Sequence, residues 1–166
     1  MFNLENRAGT PIYIHAKICI IDDTWFTCGS DNFNRRSWTT DSELTCAVID
    51  TSAPGQDAPA TGADPAASRP LAYALRRQLW AEHLGLDQND PQLHAPEDGL
   101  KLWNAAADAL DGWHEAGRRQ PRPNGHVRHH TTKPVPRLQR LWAEPANRFF
   151  VDPDGRPRRL RGTTRF

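Results

Sequence analysis

His15-Ala16-Lys17-Ile18-Cys19-Ile20-Ile21-Asp22, followed after the intervening residues 23–28 by Gly29-Ser30-Asp31-Asn32, is the stretch on which the reading of this chain turns. From Pro11 to Ile21 the sequence reads as one extended segment. Ile12 and Ile14 alternate around Tyr13, and Ile18, Cys19, Ile20 and Ile21 form an apolar run too short for a helix, so a buried strand is expected. Asp22, Asp23 and Thr24 supply turn chemistry, and Trp25 to Cys28 read as a second strand ending at Gly29, which makes a hairpin. After the polar stretch Asn32 to Ser37, Leu44 to Ile49 gives a third strand, rich in β-branched and small residues.

The residue types at these positions suit a phosphodiester. On a strand, His15 and Lys17 are two apart and face the same way, which sets an imidazole beside an ammonium. An imidazole near neutral pH acts as nucleophile or general acid, and Lys17 offers a point charge for phosphate oxygens. Ser30 and Asn32, again two apart, can donate hydrogen bonds to the same oxygens and complete an anion cradle. Glu43 can accept a hydrogen bond from the second imidazole nitrogen and fix its tautomer. Asp22 sits at an odd offset from His15 and Lys17, so a regular strand points it away; a turn role and a catalytic role both stand for it.

The pattern HxKxxxxD…GSxN resembles the HKD motif of the phospholipase D superfamily. Asn34-Arg35-Arg36-Ser37 with Asp41-Ser42-Glu43 is similar to that family's continuation. The segment from Leu75 to Gly85 resembles the part after the second motif in bacterial phospholipase D-like proteins, as does, more weakly, the tail around Asp152-Pro153-Asp154-Gly155. The resemblance implies an α/β fold with a mixed sheet and flanking helices. It implies catalytic roles for His15, Lys17, Asp22 and Glu43 and phosphate binding by Ser30 and Asn32, with no metal and no cofactor. In the resembling enzymes one histidine attacks phosphorus to form a phosphohistidine and the other protonates the leaving alcohol; His15, in the second-motif position, takes the acid and later base role. The implied substrate is a phospholipid at a membrane surface. A cardiolipin synthase-like phosphatidyl transfer comes next and a nuclease further behind, and a non-catalytic fragment is the alternative of another class. Family members carry two such motifs in one chain. Here one motif stands close to Met1, so the sheet is expected to be incomplete, the second half only. The chain is expected to be a C-terminal fragment whose partner is the missing N-terminal HKD half, with a homodimer as the alternative.

Bulk composition agrees with a domain that is only partly packed. Hydrophobic residues make up 37% of the 166 residues, and Pro reaches 14. A net charge of +1 gives no global field for nucleic acid, which is not expected as a partner. Residues 1–50 are read as the motif-bearing part, 51–69 as a flexible Ala/Pro/Gly linker or surface insertion open to protease, and 70–166 as a helical region closed by a terminal hairpin. Leu71, Leu75 and Leu79 share one face of a helix stopped by Gly85. Leu100, Trp103, Ala107, Leu110 and Trp113 mark a second helix that starts near Pro96 and ends before Gly117, its tryptophans packing into a core. Arg118 to Arg140 reads mostly as a solvated basic loop, in which His126, His129 and His130 lack the matching ligands of a metal site. Phe149 to Val151 and Arg158 to Leu160 are read as strands flanking the Asp152–Gly155 turn. Cys19, Cys28 and Cys46 lack metal or disulfide spacing and are expected to be buried reduced thiols. No apolar run is long enough for a membrane span, so a soluble chain is expected, cytoplasmic or membrane-peripheral, with the compartment open.

Overall fold

Phe2-Asn3-Leu4-Glu5 alternates apolar and polar side chains and forms strand β1 (Phe2–Glu5), which the sequence reading did not anticipate. The computed structural model describes residues 1–49, 71–132, 134–161 and 163. β1 is the centre of an antiparallel sheet ordered β2-β1-β6. On one side lies β2 (Pro11–Ile12), with Leu4 opposite Ile12; on the other lies β6 (Val127–His129), with Phe2 opposite His129 and Leu4 opposite Val127. A second sheet holds β3 (Lys17–Ile21), β4 (Trp25–Gly29) and β5 (Thr45–Ile49) in that order. The fold is thus mixed α/β, with two small antiparallel sheets and several helices.

The expected single strand from Pro11 to Ile21 is therefore two strands in two sheets. Residues 13–16 between them are irregular, and Ile12, Tyr13 and Ile14 are exposed instead of buried. The chain leaves the edge of the first sheet before it enters the second, and continuous ladder pairing stops where the sheet changes. The hairpin between β3 and β4 is as expected. Asp22 (φ 52°) and Asp23 (φ 54°) both take the left-handed conformation, and the Thr24 amide donates to the Ile21 carbonyl at 3.2 Å. That is the I′-like turn whose twist matches the flanking strands, and Asp tolerates it better than most non-glycine residues. The polar stretch after β4 carries a short helix, α1 (Arg35–Thr39), capped by the Asn34 side chain, which accepts from the Ser37 amide at 2.8 Å.

The chain divides into two compact units. The first comprises Met1–His15, Ile20–Phe26 and Val48–Thr131; the second comprises Ala16–Cys19, Thr27–Ala47 and Thr132–Phe166. The linker expected at 51–69 lies outside the described residues.

In the first unit, helices α2 (Leu71–Leu84) and α3 (Gly99–Glu115) run where their periodicity and glycine stops place them. Gly85 (φ 68°) ends α2 and lets the Leu86 amide reach back to the Ala81 carbonyl at 2.9 Å; Gly117 (φ 74°) follows α3. The inward faces differ from expectation. Leu71 is 55% exposed, and α2 buries Ala72, Tyr73, Arg76, Ala81 and Leu84, while Leu100 of α3 is also exposed. The core joins Ala81, Leu84, Leu93, Ala107 and Val127, with Phe2, Leu4, Trp80 and Trp103 packed around them. Phe2 and Trp103 have ring centroids 5.4 Å apart. Trp103 thus packs as expected, whereas Trp113 lies outside this cluster with its indole N–H on the Gln120 carbonyl at 2.7 Å. The stretch from Arg118 to Arg140, read as mostly loop, contains β6, because its Val127 pairs with a strand from the opposite end of the sequence.

In the second unit the expected terminal hairpin is absent. Helix α4 (Arg137–Ala146) runs into a π-helical turn at Asn147–Val151, and Arg158–Leu160 forms a 3-10 turn. Asp152-Pro153-Asp154-Gly155 packs on α1 rather than joining two strands. Asp152 accepts the Arg36 amide at 2.7 Å, and the Gly155 amide donates to Thr39 Oγ1 at 2.9 Å. The three thiols are free, but Cys28 and Cys46 are exposed and Cys19 is half-buried, contrary to the buried reading. β5 exposes Thr45, Cys46 and Ala47 in succession, so the strand buries neither face at that point and its small side chains lie in solvent.

Candidate functional site

His15 lies in the irregular stretch just before β3, so strand alternation does not relate it to Lys17, the first residue of β3. It belongs to the first unit, is exposed, and has its ring 6.1 Å from that of Tyr13. Asp22 occupies the left-handed turn at the tip of the hairpin and is exposed.

The other four belong to the second unit, and the structure brings three of them into one electrostatic group. Ser30 leaves the end of β4 with its hydroxyl donating to Glu43 Oε2 at 2.5 Å, while its oxygen accepts the Leu44 amide at 3.0 Å. The Ser30 amide donates to the Leu44 carbonyl at 3.0 Å, so backbone pairing sets the position of that hydroxyl. The Ser30 hydrogen bond holds the Glu43 carboxyl below its ordinary range, and the positive charges of Lys17 and Arg36 add to the effect. Glu43 is thus a carboxylate at neutral pH with Lys17 in its field. Asn32 is exposed, and its carbonyl accepts the Asn34 amide at 2.8 Å.

Gly29 of the same segment has a steric reason. A Cβ there would come within 2.6 Å of the Thr45 Cα and 2.7 Å of the Leu44 carbonyl oxygen, backbone atoms that cannot rotate away.

Two supports were missed in the sequence. Arg76, 5% exposed on α2, grips the hairpin tip in the first unit: its Nε and Nη2 donate to the two carboxylate oxygens of Asp23 at 2.6 and 2.9 Å, and its Nη1 donates to the Leu93 carbonyl at 2.8 Å. Its guanidinium also lies 4.6 Å from the Trp80 ring. An arginine in an otherwise apolar helical stripe was the available signal. In the second unit, Asp152 sits at the start of α1, where the Arg36 amide holds its carboxyl below the usual value, with the Arg35 side chain adding to this. The Asp-Pro-Asp-Gly run was visible in the sequence, but its target was not. Among the described residues, no group of three His, Cys, Asp or Glu side chains is placed to hold a metal ion.

The family model for phospholipase D matches residues 3–130. This chain belongs to the phospholipase D family. Its relatives include phospholipase D alpha 3 of Arabidopsis thaliana, 32% identical over 107 residues, which cover 63% of this chain and 12% of that protein. Phospholipase D zeta 2 of the same plant is 35% identical over 60% of this chain and 10% of its own length. Phospholipase D A of Dictyostelium discoideum is 41% identical over 51% of this chain and 6% of its length. The chain thus spans about a tenth of the length of the curated phospholipases D it matches. No solved structure matches it. The chain is mixed α/β, and among its described residues no helix is long and apolar enough to cross a membrane.

Proposed function

We propose that this chain supplies the second HKD half-site of a phospholipase D-type phosphodiesterase, hydrolysing or transferring the phosphatidyl group of a phospholipid through a phosphohistidine. His15 serves as general acid toward the leaving alcohol and as base in the second half-reaction. Lys17 and Asn32 hold the phosphate oxygens; Ser30 and Glu43 are a positioning pair, and Asp22 is a turn residue. The partner is a polypeptide bearing the first HKD half, which supplies the attacking histidine, and the substrate is met at a membrane surface.

The observation that carries this reading is the Ser30–Glu43 hydrogen bond at 2.5 Å within reach of the Lys17 charge. It supports an ionised carboxylate held by one hydroxyl in the field of a cation, in a chain of the phospholipase D family. The phosphodiester transition state gains negative charge and needs fixed positive charge, which Lys17 supplies in this reading. The chemistry needs two opposed groups. Loss of general acid–base help costs about 10²–10⁴-fold, and loss of the nucleophile removes the covalent route.

The test is co-expression with a polypeptide carrying a first HKD half, assayed on phosphatidylcholine vesicles. The expected result is negligible activity of the chain alone, rescue by the partner, and a loss of about 10²-fold or more in His15→Ala. Rescued activity that survives His15→Ala refutes the assignment. Cleavage by the chain alone as a symmetric dimer, lost in His15→Ala, replaces the missing-half partner with a second copy.

A further inference from the structure

β4 and β5 carry one exposed cysteine each, Cys28 and Cys46, and both belong to the second unit. Their pairing follows from two contacts. The Ser30 amide donates to the Leu44 carbonyl at 3.0 Å, which sets residue 30 opposite 44. A Cβ on Gly29 would meet the Thr45 Cα at 2.6 Å, which sets 29 opposite 45. One more step along this antiparallel ladder puts Cys28 opposite Cys46. The same register aligns the ends of Trp25–Gly29 with those of Thr45–Ile49, so the two strands pair over their full extent. Residues directly opposite each other project to the same face. Cys28 is two residues from Ser30 and shares its hydrogen-bonded type of position, where facing Cα atoms are about 5.5 Å apart. That lies inside the range of about 4.4–6.8 Å that a disulfide spans.

We propose that Cys28 and Cys46 form a reversible cross-strand disulfide by exchange with a small disulfide of the glutathione type. One protein thiolate attacks a sulfur of glutathione disulfide; the sulfur–sulfur bond breaks and glutathione leaves as a thiolate. The second protein thiolate then attacks the protein sulfur of the mixed disulfide and expels the other glutathione. Two protein thiols and one glutathione disulfide become one protein disulfide and two reduced glutathiones, so the two electrons given up by the cysteines end on glutathione. The bond is labile for a geometric reason. Facing Cβ atoms at such a position lie about 5.5 Å apart and must close to about 3.8 Å, and a strained bond is easily reduced. Closed, it staples β4 to β5 beside the Ser30–Glu43 hydrogen bond, so the strands that carry that pair cannot part.

The test uses the full chain equilibrated in glutathione redox buffers, quenched by alkylation, digested without reductant and read by mass spectrometry. The expected product is a Cys28–Cys46 peptide two hydrogens lighter than its reduced parts, in a monomer, with Cys19 alkylated and the link undone by reduced glutathione. In denaturant that selectivity should disappear, and Cys46→Ser should leave Cys28 carrying glutathione or alkylated. Links through Cys19, intermolecular dimers, or Cys28 and Cys46 both alkylated in a buffer that oxidises a flexible dithiol peptide each overturn the proposal. The readout is thiol chemistry, so it stands or falls independently of phosphodiester cleavage.

Discussion

Glu5→Gln removes one negative charge from a buried meeting point of cations. The Glu5 side chain is 4% exposed; His114 Nε2 lies 2.9 Å from its carboxylate, Arg122 Nη2 3.2 Å and Arg128 Nη1 3.6 Å. Glutamine keeps the shape and loses the charge. Taking one partner from a buried ion network costs about 3–5 kcal/mol, because the remaining charges stay desolvated. Arg128 keeps Asp111 at 2.7 Å and Arg122 keeps the Gly125 carbonyl at 2.9 Å, which points to the lower end, about 3 kcal/mol. Against the roughly 5–15 kcal/mol stability of an ordinary domain, that is a large share. Burial pushes the Glu5 carboxyl up, but the hydrogen bonds from His114 and Arg122 and the charges of His114 and Arg128 outweigh it, and the net shift is downward. With the folded value below the unfolded one, the stabilisation is complete above the ordinary carboxylate range and is lost as pH falls through the folded value. Urea unfolding followed by the fluorescence of Trp80 and Trp103, in the same core, should show the full gap between wild type and variant at pH 7. The gap should narrow as pH falls below the ordinary Glu range and close only below the lowered folded value, where both proteins carry a neutral group at position 5. A gap under about 1 kcal/mol at pH 7, the size of a surface pair, or one of equal size at pH 3 and pH 7, refutes the reasoning.

Arg76→Met and Asp23→Asn, the latter chosen because Asn keeps the left-handed turn, should each destabilise the first unit. A double-mutant cycle read by urea unfolding should return a coupling of about 1–3 kcal/mol, and additive effects would show that the 2.6 Å contact contributes nothing specific. Gly29→Ala drives a methyl into the Thr45 and Leu44 backbone and should cost about 1–3 kcal/mol in thermal unfolding; an unchanged melting temperature counts against the close approach. Asp152→Asn leaves the shape of the α1 contact but weakens the acceptor for the Arg36 amide, so that amide should exchange with deuterium faster at neutral pH. Wild type should approach the variant's rate, after correction for intrinsic exchange, only as pH falls below the ordinary Asp value. Equal protection factors at pH 7 would refute the role of the carboxylate.

Elements specified by neighbours in the chain were legible in the sequence. The Asp22-Asp23 turn, the strands on either side of it, and helices α2 and α3 with their glycine stops depend on local backbone preference and on periodicity, both of which lie within a few residues. The spacing of His15, Lys17, Ser30 and Asn32 likewise carried the family likeness without any fold. What tertiary structure decided is which partner each segment met. β1 is a strand because residues near position 128 pair with it, and no local pattern announces a partner at that separation. Glu5 reads as a solvent residue and is buried only because α3 and the segment after it bring His114, Arg122 and Arg128 to it. The extended look of Pro11 to Ile21 hid a change of sheet, since alternation measures burial preference and is blind to which ladder the backbone joins. The Asp152–Gly155 run has the composition of a hairpin turn, yet it serves as an acceptor and a backbone donor for α1. Turn chemistry fixes a local reversal; what the reversed chain then touches is settled by packing alone.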